Sequence, residues 1–404
     1  MSEVKLGDIS FITKLAGFEH TKYIQGNNTH EKISEDDVPL FIGKTVQNGK
    51  IDKNFDWYIP KELSNQLERS KLNKKCLVLP YVGSVGDLAI FDASYDAHLG
   101  SNIAKIELAE NCGYSEEFIY YFLKSDYGQK ILLRDIQGAI QKNITMKAIR
   151  GVSLPDISIQ EQNNIVSILK ALDDKIQTNN QINQELEAMA KTLYDYWFMQ
   201  FDFPDQNGKP YKSSGGKMVY HPELKREIPE GWGVEKLSYF LTIKNGKDHR
   251  HLQDGKFAVY GSGGIMRMVT DYLYSGESIL FPRKGTLNNV MYVNEKFWTV
   301  DTMFYSEVNK NNSALYVFYS VKDIDFNKLN TGTGVPSMTS SILYDLNIIV
   351  PEENILEKFN TVVKRNYETI KLNNIQNQEL IQLRDWLLPM LMNGQVKVEK
   401  SNCK

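Results

Sequence analysis

Apolar residues recur at helical spacing over two long stretches of this chain, about 160 to 200 and 352 to 396. Each is read as one uninterrupted helix. In the first, a heptad frame places Ile165, Leu172, Asn179, Leu186 and Leu193 at a, and Ile168, Lys175, Ile182, Met189 and Tyr196 at d. Ser158 followed by Glu161 supplies a capping box at its start. A shift of 194 residues gives the frame of the second: Phe359, Asn366, Asn373, Leu380 and Leu387 at a, with Val362, Thr369, Gln376, Leu383 and Met390 at d. Their centres are near-copies, NNQINQEL from Asn179 and NNIQNQEL from Asn373. About 40 residues rising 1.5 Å each make a rod of roughly 60 Å.

Both helices carry Asn at the same a site. A buried Asn there fixes register at a cost in stability, whereas a solvated Asn does not; both readings stand. If related halves pack about a pseudo-twofold axis, the helices run antiparallel. Asn179 and Asn180 then cross Asn373 and Asn374 at the centre of the pair.

The repeat extends beyond the helices. At the same offset, Gly138 to Thr145 aligns with Gly332 to Thr339, and with a two-residue slip Leu154-Pro155 matches Val350-Pro351. That period is too long for a solenoid and implies two copies of a domain-plus-helix module. Cys76 to Leu79 and Leu88 to Phe91 read as strands around a glycine-punctuated loop from Pro80 to Asp87. Pro155 reads as the end of a strand. Glu116 to Leu133 reads as an amphipathic core helix interrupted near Gly128, and residues 201–235 as a breaker-rich surface connection. Phe297 to Tyr305 reads as a β-rich core run.

Composition narrows the classes. The 404 residues are 42% hydrophobic and 24% charged, enough for two or three cores. No apolar run reaches the roughly 18 residues of a membrane span, and MSEVKLGDIS carries no signal-peptide pattern. Cys76, Cys112 and Cys403 form no CxxC pair, which suits a reducing cytoplasm. The net charge of −3 is not that of a uniformly basic nucleic-acid binder. Its distribution says more. Residues 236–340 hold 12 Lys+Arg against 9 Asp+Glu, residues 156–200 hold 3 against 7, and residues 1–150 hold 19 against 20. A mildly basic second domain beside acidic helices allows a polyanion on one face.

Candidate chemistry is sparse. Gly43-Lys44-Thr45 lacks the Gly five positions earlier that a phosphate-binding loop needs, since Val38 stands there. Lys44, Gln47, Asn48 and Lys50 form a polar loop that is either a solvated turn or a set of groups for base edges and phosphates. His249 and His251 have no third ligand at a characteristic spacing, so no metal site is read. Tyr260-Gly261-Ser262-Gly263-Gly264 lacks the dinucleotide-binding spacing. Arg283-Lys284-Gly285-Thr286-Leu287-Asn288-Asn289 gathers two cations, a hydroxyl and two amides suited to phosphate and base contact. No acid/base or nucleophile constellation emerges.

Taken in order, these segments resemble the specificity subunit of type I restriction–modification systems over nearly the whole chain. LP…EQNNIV at 154–166, IPEGW from Ile228 with Glu235-Lys236-Leu237 after it, GKDHRHL, VYGSGGIMR, PRKGTLNN and FWTVDTMFY carry the likeness. The second helix start, Val350-Pro351 to Phe359-Asn360, lacks the Glu-Gln pair. The resemblance implies an α+β fold. Two mixed α/β target recognition domains, in pseudo-twofold repeat, are separated by two long helices packed as an antiparallel coiled coil. It divides the chain into a first recognition domain (1–158), a long helix (159–200), a linker (201–235), a second recognition domain (236–351) and a second long helix (352–396).

It also implies a non-catalytic cytoplasmic subunit without cofactor or metal. Each domain would read half of a bipartite, asymmetric double-stranded DNA site, with the helices as a ruler. Half-sites one turn apart lie roughly 34 Å from each other. Two modification subunits would bind S-adenosylmethionine and methylate adenine, and restriction subunits would use ATP and Mg. The residues expected at DNA are Lys44, Gln47, Asn48, Lys50, Tyr81, Ser84, Lys142 and Asn143 in the first domain. In the second they are Lys247, His249, Arg250, Tyr260, Ser262, Arg267, Arg283, Lys284, Asn288 and Asn289. Two other readings remain: a specificity module of another restriction class, working with a methylase–nuclease fusion, and a coiled-coil scaffold with two protein-binding domains.

Overall fold

The computed structural model describes residues 4–134, 143–330, 332 and 334–392, so Lys142 and most of 138–145 lie outside it. The chain divides into two compact units, residues 1–178 with 376–404, and residues 179–375. Each unit takes part of both long helices, which span Ile159–Tyr194 and Glu353–Met392.

The first unit is built on a four-stranded antiparallel sheet in the order Ser10–Lys14, Ile103–Leu108, Cys76–Pro80, Ala89–Phe91. Pro80 ends its strand opposite Ile103. Its side chains alternate between two cores. Leu77 and Leu79 face a helix core with Phe118 and Phe122, and Val78 packs with Phe41 and Phe91. A second sheet supplies the other wall, in the order Tyr58–Ile59, Val38–Phe41, Ala97–Leu99, Lys71–Leu72. Burial pushes the Cys76 thiol up to about 12, as expected of a packing residue.

The expected helix from Glu116 is two, Glu116–Lys124 and Asp126–Leu132. The break falls at Ser125, whose Oγ accepts from the Gly128 N–H at 3.0 Å. Gly128 is inside the second helix and lies so close to the Phe122 carbonyl that a Cβ there would collide with it. The residues before Pro155 form no named strand. Only an isolated bridge joins Ser153 to Lys5.

The second unit has a six-stranded sheet in the order Leu241–Asn245, Met303–Val308, Tyr274–Pro282, Met291–Thr299, Asp254–Gly261, Gly264–Val269. Its first three strands repeat the plan of the first unit, and Pro282 ends its strand opposite Met303 as Pro80 does opposite Ile103. The supposed surface connection is anchored. Phe201, Phe203, Ile228 and Trp232 are buried, and Gly233–Lys236 pairs with Asn347–Val350. Gly and Pro mark where this segment turns, but the aromatics between the turns drive it into the core.

The helices pair antiparallel. In the first unit Arg384 Nη1 donates to Asp173 Oδ1 at 2.8 Å, while Ile165 and Leu169 share a core with Leu388 and Leu391. In the second unit Asn183 meets Asn373 and Asn374, at 2.8 and 3.0 Å, and Tyr194 shares a core with Phe359. The Ser158–Glu161 capping box forms, with Ser158 N to Glu161 Oε2 at 3.1 Å.

One expectation about the helices changes. The a positions are buried or half-buried as read, and so are Ile168 and Met390 at d, but the other d positions are exposed: Ile182 is 40% exposed, Met189 60% and Val362 47%. The inward residues stand one place later, at Leu169, Ile176, Asn183, Ala190 and Trp197, and at Val363, Ile370, Asn377, Arg384 and Leu391. The partner of each a position is therefore four residues on, not three. Apolar content favoured Ile182 and Met189 over Asn183 and Ala190, and a seam with amides at its centre inverts that signal. Near the centre Asn183 meets Asn373 and Asn374, and Asn179 is fully buried while Asn180 is exposed. The second helix runs unbroken as expected, with Pro389 inside its last described turn. Buried Leu388, Leu391 and Met392 hold that turn in place where one backbone N–H is missing.

The corrected seam makes a stability prediction. Leu169→Ala should destabilise by about 2–5 kcal/mol and Asn183→Ala by about 1–3 kcal/mol. Ile182→Ala should stay within about 0.5 kcal/mol. Urea unfolding of the three variants checks this, and a loss at Ile182 matching that at Leu169 would restore the original frame.

Candidate nucleic-acid interface

In both units one inner strand of the sheet ends in proline and runs into a glycine loop, and both loops are braced by the same backbone hydrogen bonds. In the first, the Tyr81 N–H donates to the Asn102 carbonyl at 3.0 Å, the Ile144 N–H donates to the Tyr81 carbonyl at 2.9 Å, and Val82 bridges Asn143. In the second, the Arg283 N–H donates to the Thr302 carbonyl at 2.8 Å, the Met338 N–H donates to the Arg283 carbonyl at 2.9 Å, and Lys284 bridges Ser337. Gly83 and Gly285 then turn at φ +85° and +89°, a region that costs an L-residue about 1–2 kcal/mol. Pro80-Tyr81-Val82-Gly83-Ser84 and Pro282-Arg283-Lys284-Gly285-Thr286 are thus one scaffold with two sets of side chains.

Around the first loop the structure gathers the candidate residues of residues 43–50. Gly43 packs against the Val82 carbonyl, and the Gly49 N–H donates to Asp87 Oδ1 at 3.0 Å. Asn48 and Gly49 form the turn of a short hairpin, with φ +52° and +77°. Lys44, Gln47, Asn48, Lys50 and Ser84 are exposed, and Tyr81 is half-buried. Lys44 is paired with Asp56 at 2.5 Å, and Gln47 Nε2 donates to the Lys44 carbonyl at 3.0 Å. Asn143 Oδ1 is buried without a hydrogen-bond partner among the described residues. Lys14 went unread in the sequence; its ammonium lies 4.4 Å from the centre of the Tyr81 ring.

The second set divides by role. Lys247, Arg250, Arg283 and Lys284 are exposed, with the Arg283 guanidinium 5.8 Å from the Phe304 ring centre. Other side chains hold the loops. Arg267 Nη2 donates to the Leu252 carbonyl and to Asp254 at 3.0 and 2.7 Å. Asn289 Nδ2 donates to the Ser262 carbonyl at 2.8 Å, and Asn288 Nδ2 to Asp325 at 3.1 Å. Tyr260 is buried and donates its hydroxyl to Glu295 at 2.9 Å; burial, reinforced by that carboxylate, pushes the phenol above its ordinary range. His249 lines a cavity of about 430 Å³ with Arg250 and Ser262. Among the described residues no three metal-ligating side chains cluster, and no helix is long and apolar enough to cross a membrane.

What this geometry can do is present cations, hydroxyls and amides on rigid loops to an extended anion. Sequence reading found the loops but missed Asn183, Asn377, the Asp173–Arg384 pair and Lys14. The near-copied asparagines were the signal for the first two; the others depend on contacts between segments far apart in sequence.

Known proteins agree with this architecture. Residues 2–188 and 229–382 match the type I restriction modification DNA specificity domain. The chain is 28% identical over 416 residues to the type I restriction enzyme MjaIX specificity subunit of Methanocaldococcus jannaschii, covering 90% of this chain and 93% of that one. It is 21% identical over 356 residues to the HindI specificity subunit of Haemophilus influenzae, covering 69% and 77%. The crystal structure of a type I restriction–modification S subunit from M. genitalium shares the fold, with a TM-score of 0.59, 16% identity, and coverage of 96% of this chain and 95% of that one.

The loop scaffold predicts that Gly285→Ala is strained by its φ, and its Cβ would come within 2.9 Å of Ser262 Oγ. A loss of about 1–2 kcal/mol is expected, read as a lower unfolding midpoint. An unchanged midpoint would mean that the loop adapts.

Proposed function

The chain belongs to the type I restriction–modification DNA specificity family, and on that premise we propose that its two braced loop sets read the two halves of a bipartite, asymmetric DNA site. The observation that carries this reading is the recurrence of one backbone scaffold with different side chains. Identical bracing presents side chains at matching positions, and different side chains read different bases. As a specificity subunit the chain is itself non-catalytic and binds no cofactor.

The roles follow from placement. Exposed Lys247, Arg283 and Lys284 in one unit, and Lys44 and Lys50 in the other, meet phosphates or guanine edges. Gln47, Asn48, Ser84 and Asn143 offer amide and hydroxyl groups to bases. Arg267, Asn288, Asn289 and Tyr260 support the loops from behind. The long helices, 36 and 40 residues, act as the ruler between half-sites.

Two modification subunits would dock on this chain and carry S-adenosylmethionine to the adenines, with restriction subunits adding ATP-driven cleavage. The outward apolar residues Ile182, Met189 and Tyr196, spaced seven apart along one helix face, support such docking. Large exposed apolar side chains in a line mark an interaction surface.

Arg283→Ala is expected to weaken one half-site only, by about 1–3 kcal/mol. Lys284→Ala should lower binding to all sequences and reduce the salt dependence by about one counterion. Titrations of the assembled complex against duplexes mutated in either half-site, at several salt concentrations, test both. Full affinity and unchanged sequence preference for Arg283→Ala would remove it from the interface.

A further inference from the structure

The cavity beside the second reader loop contains an acid. It is lined by His249, Arg250, Ser262, Met266, Asp301 and Thr302 among others. Asp301 is exposed on the turn between strands Met291–Thr299 and Met303–Val308, and no ion pair engages it among the described residues. The turn is stitched to the reader loop, because the Thr302 carbonyl accepts from the Arg283 and Lys284 N–H groups at 2.8 and 3.2 Å. His249 Nδ1, in the same cavity, is buried without a hydrogen-bond partner among the described residues.

On a surface that gathers Lys247, Arg250, Arg283 and Lys284, with Asp248 already paired to Arg250 at 3.9 Å, the Asp301 carboxylate, unpaired among the described residues, opposes binding to phosphates by simple Coulomb repulsion. It favours binding only where it meets a donor. In the major groove a carboxylate accepts from the N4 amino group of cytosine, and Arg donates to the O6 and N7 of guanine. The repeat identifies the position in the other unit. Asn102 and Thr302 accept the same brace, so Ser101, also exposed, stands where Asp301 does. A serine hydroxyl donates or accepts, whereas an ionised Asp only accepts. The two units therefore differ in chemistry at a matched position.

We propose that Asp301 selects a cytosine in the half-site read by the second unit, accepting from its N4 amino group, with Arg250 donating to the guanine of that pair. This rests on the reading of the loops as DNA readers. It adds a residue outside the expected contacts and commits to a base.

The test is selection from a randomised duplex library by the assembled complex of specificity and modification subunits. Wild type is compared with Asp301→Asn and Asp301→Ser. Wild type should fix a G·C pair in one half-site. Asp301→Ser should cut the cytosine preference at that position about tenfold, within the range a base contact supplies. Asp301→Asn should move it toward adenine, which Asn reads through N6 and N7. The other half-site should not change in either variant. Retention of the cytosine preference within twofold in both variants would overturn the assignment while leaving the readers intact. So would an equal loss of affinity for every sequence, which would make Asp301 a support of its turn. A wild-type complex that enriches no sequence would overturn the reader assignment itself.

Discussion

The helix pair depends on amides buried where leucine would be expected. Asn183 joins Asn373 and Asn374 across the seam, with Asn179 and Asn377 buried in the same turns. Apolar knobs tolerate sliding by a heptad, because one leucine replaces another. An amide that must find an amide does not, since leaving a buried donor or acceptor unmet costs about 1–3 kcal/mol. The polar centre therefore specifies one register at the expense of some stability. Asp173 with Arg384 adds a second polar restraint within the first unit.

The loops show the same economy in another form. Each reader loop is fixed by backbone groups: a proline ends the strand, one carbonyl and one N–H group clamp the next residue, and a glycine with positive φ turns the chain. Bracing that uses no side chain leaves side chains free to vary. That explains how Tyr81-Val82 in one unit and Arg283-Lys284 in the other occupy the same scaffold. Several polar residues in the second set hold loops in place, which separates support from recognition within one short segment.

The family, the doubled architecture, the two long helices and the capping box at Ser158 were legible in the residues. So were the strands on either side of Pro80. The heptad partners were not. At Ile182 and Asn183, hydrophobicity names the wrong residue, because the helix centres bury amides and expose apolar side chains toward solvent. The segment 201–235 misled for a related reason: its glycines and prolines locate turns, while Phe201, Phe203 and Trp232 decide burial.

Sequence alone determined the helical period, the repeat and the residues offered at the loops, since these are local properties of spacing and backbone preference. Tertiary structure decided which face of each helix turns inward, which asparagines meet and which polar side chains are spent on support. Those outcomes turn on pairing between residues about 190 apart, such as Asn183 with Asn373. Local propensity has no access to a partner that only folding brings within hydrogen-bond reach.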